Sequence, residues 1–192
     1  IESLNVSSIV KGIAKTFVEM AKSRNITFLS KIPEQVMWNS DKGFLNTIII
    51  NLISNAFKYT PDGQSIKIEV DTSGENMLTL RVANEGRTIK EKDFQYIFNR
   101  YAILDNFENQ DEKNFSRNGL GLAISYNMAK LLNGTLKVEN TPDGWVMFTL
   151  TLPVMEQTTG VAEAKRLTAE YIPKIDTQPI LKLPQYEFDK MR

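Results

Sequence analysis

The sequence predicts an α+β domain, a two-layer α/β sandwich with helices on one face of a mixed, mostly antiparallel sheet. Three observations carry that expectation. One long segment, 41–58, repeats its apolar residues at helical spacing. Two pairs of segments alternate apolar and polar residues around turn-forming residues, and every element offers a single apolar face. Elements of that kind bury their surface only against one another.

In chain order, residues 5–23 place Ile9, Ile13, Phe17 and Met20 on one side of an amphipathic helix. Residues 26–30 alternate as a strand, and a second short strand covers Val36 to Trp38. Asp41 is suited to N-cap the helix 41–58, whose apolar stripe is Phe44, Leu45, Ile48, Ile49, Leu52, Ile53 and Ala56. In the first hairpin Ile66, Ile68 and Val70 alternate, residues 71–76 turn the chain, and Leu78, Leu80 and Val82 return it. A short helix is expected around Lys90 to Arg100, with Phe94, Ile97, Phe98 and Tyr101 as a core face.

Residues 102–118 are polar, aperiodic and too long for a plain connector, which marks a functional loop. A helix follows over 119–132, closed by Asn133-Gly134. The final hairpin pairs Leu136 and Val138 with Val146, Phe148, Leu150 and Leu152. The domain so defined spans residues 1–153. Beyond it, Pro173, Pro179 and Pro184 punctuate a polar segment, 154–192, with one helix expected near Val161 to Tyr171; it reads as a linker to a further domain.

Composition excludes several chemistries. The 192 residues carry 23 Lys plus Arg against 23 Asp plus Glu, so there is no electrostatic reason to expect a nucleic acid as partner. No apolar run is long enough to span a bilayer, and the chain is expected to be soluble. With no Cys and no His, thiolate nucleophiles, imidazole bases, His-paired triads and ordinary zinc sites are absent. Metal chemistry is left to oxygen donors around Mg²⁺ or Ca²⁺.

Three constellations remain. Asn51, Asn55 and Lys58 fall at i, i+4 and i+7, on one side of the long helix and away from its apolar stripe. Asn costs about 0.5 kcal/mol relative to Ala inside a helix, so two of them invite an explanation. An amide oxygen suits Mg²⁺, and an ammonium suits the phosphates that accompany it. A solvated face with incidental amides explains this helix equally well. The second constellation, Arg117 to Ser125, leads from the polar loop into a helix, with Gly119 and Gly121 flanking Leu120. Glycines permit close approach, and a helix N-terminus offers free N–H groups to a polyphosphate. In the third, Arg81 to Ile89, a strand ends before Asn84 and Gly86, where Asn84 could meet a base edge; turn chemistry accounts for both residues as well.

The order of these motifs resembles that of sensor histidine kinases. NLISNAFKYT is similar to their N-box, VANEGRTI to the first glycine box, FQYIFNRY to the phenylalanine box and RNGLGLAIS to the second glycine box. GWVMFTLTLP resembles the strand that closes the same domain. The resemblance covers about residues 1–153. It implies the Bergerat (GHKL) fold shared with gyrase, MutL and a heat-shock chaperone, with ATP held between the helix layer and a lid.

Carried across, Asn55 would coordinate Mg²⁺ with Asn51 beside it as a second candidate ligand. Lys58 would contact phosphate, Tyr59 would pack near the ribose and Asn84 would face the adenine amino group. The backbone around Gly119, Leu120, Gly121 and Leu122 would line the phosphates. Gly86, Arg100 and Tyr101 would complete the nucleotide site, 102–118 would be the lid, and Phe94 and Phe98 would anchor it.

Departures from the pattern are specific. Asn84 stands where the family usually has Asp, Thr88 where the first box has a glycine, Arg117 where GxGxG has its first glycine, and Ile103 where a basic residue often follows. Arg117 is expected to supply charge to the γ-phosphate from the lid. A family Thr near the last strand corresponds to Val146 or Met147.

The resemblance implies an enzyme, the catalytic domain of a protein histidine kinase. Its phosphoacceptor His would lie on an upstream dimerisation domain, because this chain has none. A response regulator or fused receiver domain would take the phosphoryl group onward, and the whole would be a membrane-anchored sensor with this domain in the cytoplasm. The altered positions also admit another reading, a degenerate, non-catalytic docking module.

Overall fold

The structure is a computed structural model and describes residues 1–74, 76–99 and 120–155. It opens with β1 (Glu2–Asn5), α1 (Val6–Thr16) and α2 (Val18–Ser23), followed by β2 (Thr27–Lys31), β3 (Met37–Ser40) and α3 (Lys42–Tyr59). The hairpin β4 (Ser65–Gly74) and β5 (Met77–Glu85) comes next. After a 3₁₀ turn (Glu91–Asp93) come α4 (Gly121–Leu131) and the hairpin β6 (Thr135–Asn140) and β7 (Trp145–Pro153).

Five strands form one sheet in the order β2-β4-β5-β7-β6. Only β2 and β4 run parallel; the other pairs are antiparallel, as the sequence predicts. Strand alternation gives the sheet two unlike faces. Ile66, Ile68, Leu80, Val82 and Leu150 turn inward and are at most 1% exposed, while Lys67, Glu69 and Arg81 alternate with them on the outer face.

The helices cover the inner face. Asp41 starts α3 by accepting a hydrogen bond from the Phe44 N–H (2.8 Å), which satisfies one orphan donor of the first turn. The stripe then delivers what its spacing promises: Leu45, Ile48, Ile49, Leu52 and Ile53 are all fully buried. Each contributes about 1.5–3 kcal/mol relative to an exposed side chain. Across the layer, α3 packs against α1, α4 and β5, and α4 rests on β6 and β7.

Three expectations need correction. The helix 5–23 is broken at Phe17, whose ring stacks on Phe57 (5.2 Å between centroids, 18° between planes). Residues 2–5, for which no strand is expected, pair with β3, and Asn5 caps α1 through Ser8 N–H.

The helix expected over 90–100 is only the 3₁₀ turn, continued by turn hydrogen bonds from Tyr96 and Ile97 to Asp93. Its apolar residues find partners without regular helix: Ile97 is buried, and Phe98 stacks on Tyr126 (5.0 Å) with Phe148 edge-on (6.4 Å).

At the end of α4, Asn133 takes the left-handed conformation (φ 55°) and Gly134 N–H returns to Ala129 C=O. A Cβ on Gly134 would collide with the Thr151 carbonyl, so the glycine allows helix and sheet to close. In the β6–β7 turn the Thr141 hydroxyl beside the exposed Asp143 holds its carboxyl below the usual range.

Candidate functional site

The last three turns of α3 carry the amide face, and the structure separates its two amides. Asn51 Nδ2 donates to the Gly121 carbonyl (3.1 Å) and to the Ser125 hydroxyl (3.0 Å), both on α4. A carbonyl only accepts, so the amide nitrogen must face it. Asn55, one turn on and partly buried, makes no side-chain hydrogen bond among the described residues, and its polar atoms are not sealed from solvent. One carboxamide is committed to protein and the other is available.

Lys58 lies a further turn along with Nζ 5.2 Å from the centre of the Tyr59 ring, and Tyr59 is 37% exposed. This end of α3 is held from below by Arg24, whose guanidinium donates to the carbonyls of Phe57 and Thr60 while Nε meets Asp62 (2.8 Å). A cation on the last carbonyls satisfies orphan acceptors and opposes the helix dipole. Nothing in the spacing of Arg24 announces that role, because it acts across 33 and 36 residues.

Asn84 sits at the inner end of β5, 4% exposed, between Ile66 of β4 and Val146 of β7 in the register. Its Nδ2 donates to the Glu85 carbonyl (3.2 Å), and no donor among the described residues reaches Oδ1. The register also separates the two candidates for the missing threonine. Val146 lies directly opposite Asn84, on the same face; Met147 lines a cavity of about 180 Å³ on the outer face with Leu29, Lys67, Arg81 and Trp145.

Gly86 has φ 152°, and a Cβ there would stand 2.7 Å from the Tyr59 carbonyl. Its glycine is required where the strand end passes under the helix end. Beyond it, Asn140 grips residue 89 from both sides, accepting from Ile89 N–H (3.1 Å) and donating to Ile89 C=O (2.6 Å). That paired bond fixes the chain leaving β5. Sequence reasoning misses it too.

The third part of the site is the start of α4. Leu120 occupies the N-cap and provides no side-chain hydrogen bond, and the first turn has no acidic residue. Among the described residues no side chain caps the opening N–H groups of α4, which carry partial positive charge, the arrangement that can receive an anion. Leu120, Gly121 and Leu122 are partly exposed there.

Asn51, Asn55, Lys58 and Tyr59 thus share the end of α3, which packs on both β5 and α4, the elements carrying Asn84 and Gly121. Arg100, Tyr101, Arg117, Gly119 and the loop 102–118 lie outside the described residues. Among the described residues no cluster of three or more acidic side chains could hold a metal by itself. Asn55 offers an amide oxygen that could join oxygens brought by a ligand around a metal, which is the way Mg²⁺ is bound alongside phosphates.

The profile of the histidine kinase-, DNA gyrase B- and HSP90-like ATPases matches residues 40–156, which include every constellation described above. Among curated proteins, the chain is 31% identical over 152 residues to histidine kinase P4 of Formosa agariphila, covering 78% of this chain and 11% of that protein. It is 28% identical over 141 residues to the sensor histidine kinase WalK of Bacillus subtilis, covering 72% and 23%. The chain therefore spans less than a quarter of these relatives.

Among solved structures, a nucleotide-free catalytic domain of histidine kinase ThkA superposes with TM-score 0.68 at 23% identity, covering 81% of this chain and 98% of that one. ThkA is also known in complex with the response regulator TrrA, at TM-score 0.66 and 22% identity, covering 80% of this chain and 42% of that one. These likenesses show the two-layer fold.

Proposed function

We propose that the chain, which belongs to the histidine kinase-, DNA gyrase B- and HSP90-like ATPase family, is the ATP-binding catalytic domain of a two-component sensor histidine kinase. The observation that carries this reading is the free Asn55 carboxamide. It lies on one helix face with Lys58, on the helix that packs against α4, whose N-cap residue Leu120 makes no side-chain hydrogen bond.

In this reading the adenine amino group donates to Asn84 Oδ1, which has no donor among the described residues. Tyr59 flanks the ribose and Lys58 neutralises phosphate charge. The α4 start, with Gly119, Gly121 and the backbone of Leu120 and Leu122, receives phosphate oxygens. Arg100, Tyr101 and Arg117 act from the lid side. Asn55 holds Mg²⁺, which when bound offsets phosphate charge and orients the chain of phosphates. Asn51 is assigned otherwise below.

The reaction is in-line displacement. A histidine nitrogen forms a bond to the γ-phosphorus while the bond to the β–γ bridging oxygen breaks and ADP leaves. The protein contributes position and charge neutralisation. The acceptor lies outside this chain, which contains no His. We place it on a dimerisation domain of the same sensor, with a response regulator or a fused receiver domain as the next acceptor.

Residues 1–153 form the catalytic domain and 154–192 a linker. The domain works in the cytoplasm, and no described helix is long and apolar enough to cross a membrane. Titration of the chain with a non-hydrolysable ATP analogue tests the reading. Saturable binding that strengthens with Mg²⁺ supports it; no binding at millimolar nucleotide refutes it and favours the docking module.

A further inference from the structure

Two amides of one type, one turn apart on one face, have different surroundings. Asn51 is bound to α4 at two points, whereas Asn55 makes no side-chain hydrogen bond among the described residues. Both partners of Asn51 belong to the first turns of α4. Ser125 is fully buried, and the amide nitrogen is the hydrogen-bonding partner its hydroxyl has.

The missing side chain at 121 completes the fit. A Cβ there would meet the Asn51 carboxamide at 3.5–3.7 Å, so the amide lies flat against the helix start. The element held in this way is the one whose first N–H groups receive phosphate in the function proposed above.

We propose that Asn51 is a positioning residue, not a metal ligand: it clamps the start of α4 to α3 and so sets where the phosphate-binding N–H groups stand. The inference rests on the nucleotide site proposed above. Its role differs from that of Asn55 in sign as well as in degree. Replacing Asn51 by Asp puts a carboxylate oxygen against the Gly121 carbonyl, two acceptors face to face, and the clamp opens. At a metal ligand the same change adds negative charge and strengthens the ion.

The test uses the full chain and its Asn51→Asp, Asn51→Ala, Ser125→Ala and Asn51→Ala/Ser125→Ala variants. Affinity for the ATP analogue is measured across a Mg²⁺ titration, with amide exchange at residues 122–125 followed without nucleotide. The clamp predicts that Asn51→Asp and Asn51→Ala each weaken nucleotide binding about tenfold. The Mg²⁺ midpoint stays at the wild-type value and residues 122–125 exchange faster. Ser125→Ala, which is isosteric enough to fold, gives the same pattern more weakly, and the double variant is no worse than Asn51→Ala.

Tighter Mg²⁺ dependence in Asn51→Asp, or unchanged exchange at 122–125 in Asn51→Ala, overturns the inference. A wild-type chain that binds no nucleotide overturns the proposed function and this role together. Loss of the clamp signature in a chain that does bind overturns this role alone.

Discussion

Gly121→Ala separates the demands of folding from those of the ligand. Gly121 is the first residue of α4 and does not have a positive φ. An added Cβ would meet only the Asn51 side chain, at 3.5 Å or more, which is ordinary contact. The substitution removes glycine's excess chain entropy, worth about 0.5–1 kcal/mol inside a helix and toward the lower figure at its first residue. For a domain of this size about 0.5 kcal/mol raises Tm by about 1–2 °C.

The ligand meets a different situation. A methyl group at the helix start occupies space that a phosphate needs to reach the backbone, and losing one charge-assisted hydrogen bond costs about 1.5–3 kcal/mol. That corresponds to about ten- to a hundredfold in affinity. Differential scanning calorimetry and analogue titration on the same protein read both quantities. A lowered Tm, or unchanged affinity, refutes the reasoning.

Other substitutions probe the supports of the site. Gly134→Ala is expected to cost about 3 kcal/mol or more in urea unfolding, because its Cβ meets the backbone at Thr151 and neither element can give way; a cost under 1 kcal/mol would contradict the close approach. Arg24→Ala should destabilise by about 1–3 kcal/mol through the two uncapped carbonyls of α3. Asp62→Ala should cost little, since that carboxylate is largely exposed, and equal costs would place the energy in the ion pair instead. Incubated with γ-labelled ATP, the chain should acquire no acid-labile label, for want of a histidine; stable incorporation would refute an external acceptor.

What the sequence disclosed follows from how local each signal is. The apolar stripe of α3 recurs along the whole helix, so its cap, its extent and most of its buried residues are readable; Phe57, off the stripe, is buried by its stack on Phe17, and Phe44 is only partly buried. Both hairpins are readable for the same reason, since alternation and turn residues are local. β1 is four residues long and its cross-strand partner β3 lies more than 30 residues away, so no local pattern marks it. The apolar spacing of residues 94–98 fits a helix, yet the backbone there is satisfied by turns.

Within the site, residue type and spacing identify the face that carries Asn51, Asn55 and Lys58. They do not say which amide is already occupied, because that depends on Ser125, 74 residues away. Arg24 and Asn140 are hidden by the same kind of distance.

In the proposed site Asn55 presents its amide oxygen to a divalent ion carried by a nucleotide. Isothermal titration of wild-type and Asn55→Ala chains with the ATP analogue, with and without Mg²⁺, isolates that role. Mg²⁺ is expected to strengthen binding by the wild type, and in Asn55→Ala this enhancement is expected to be lost while metal-free binding and Tm stay near the wild-type values. An enhancement of the same size in both proteins would contradict it.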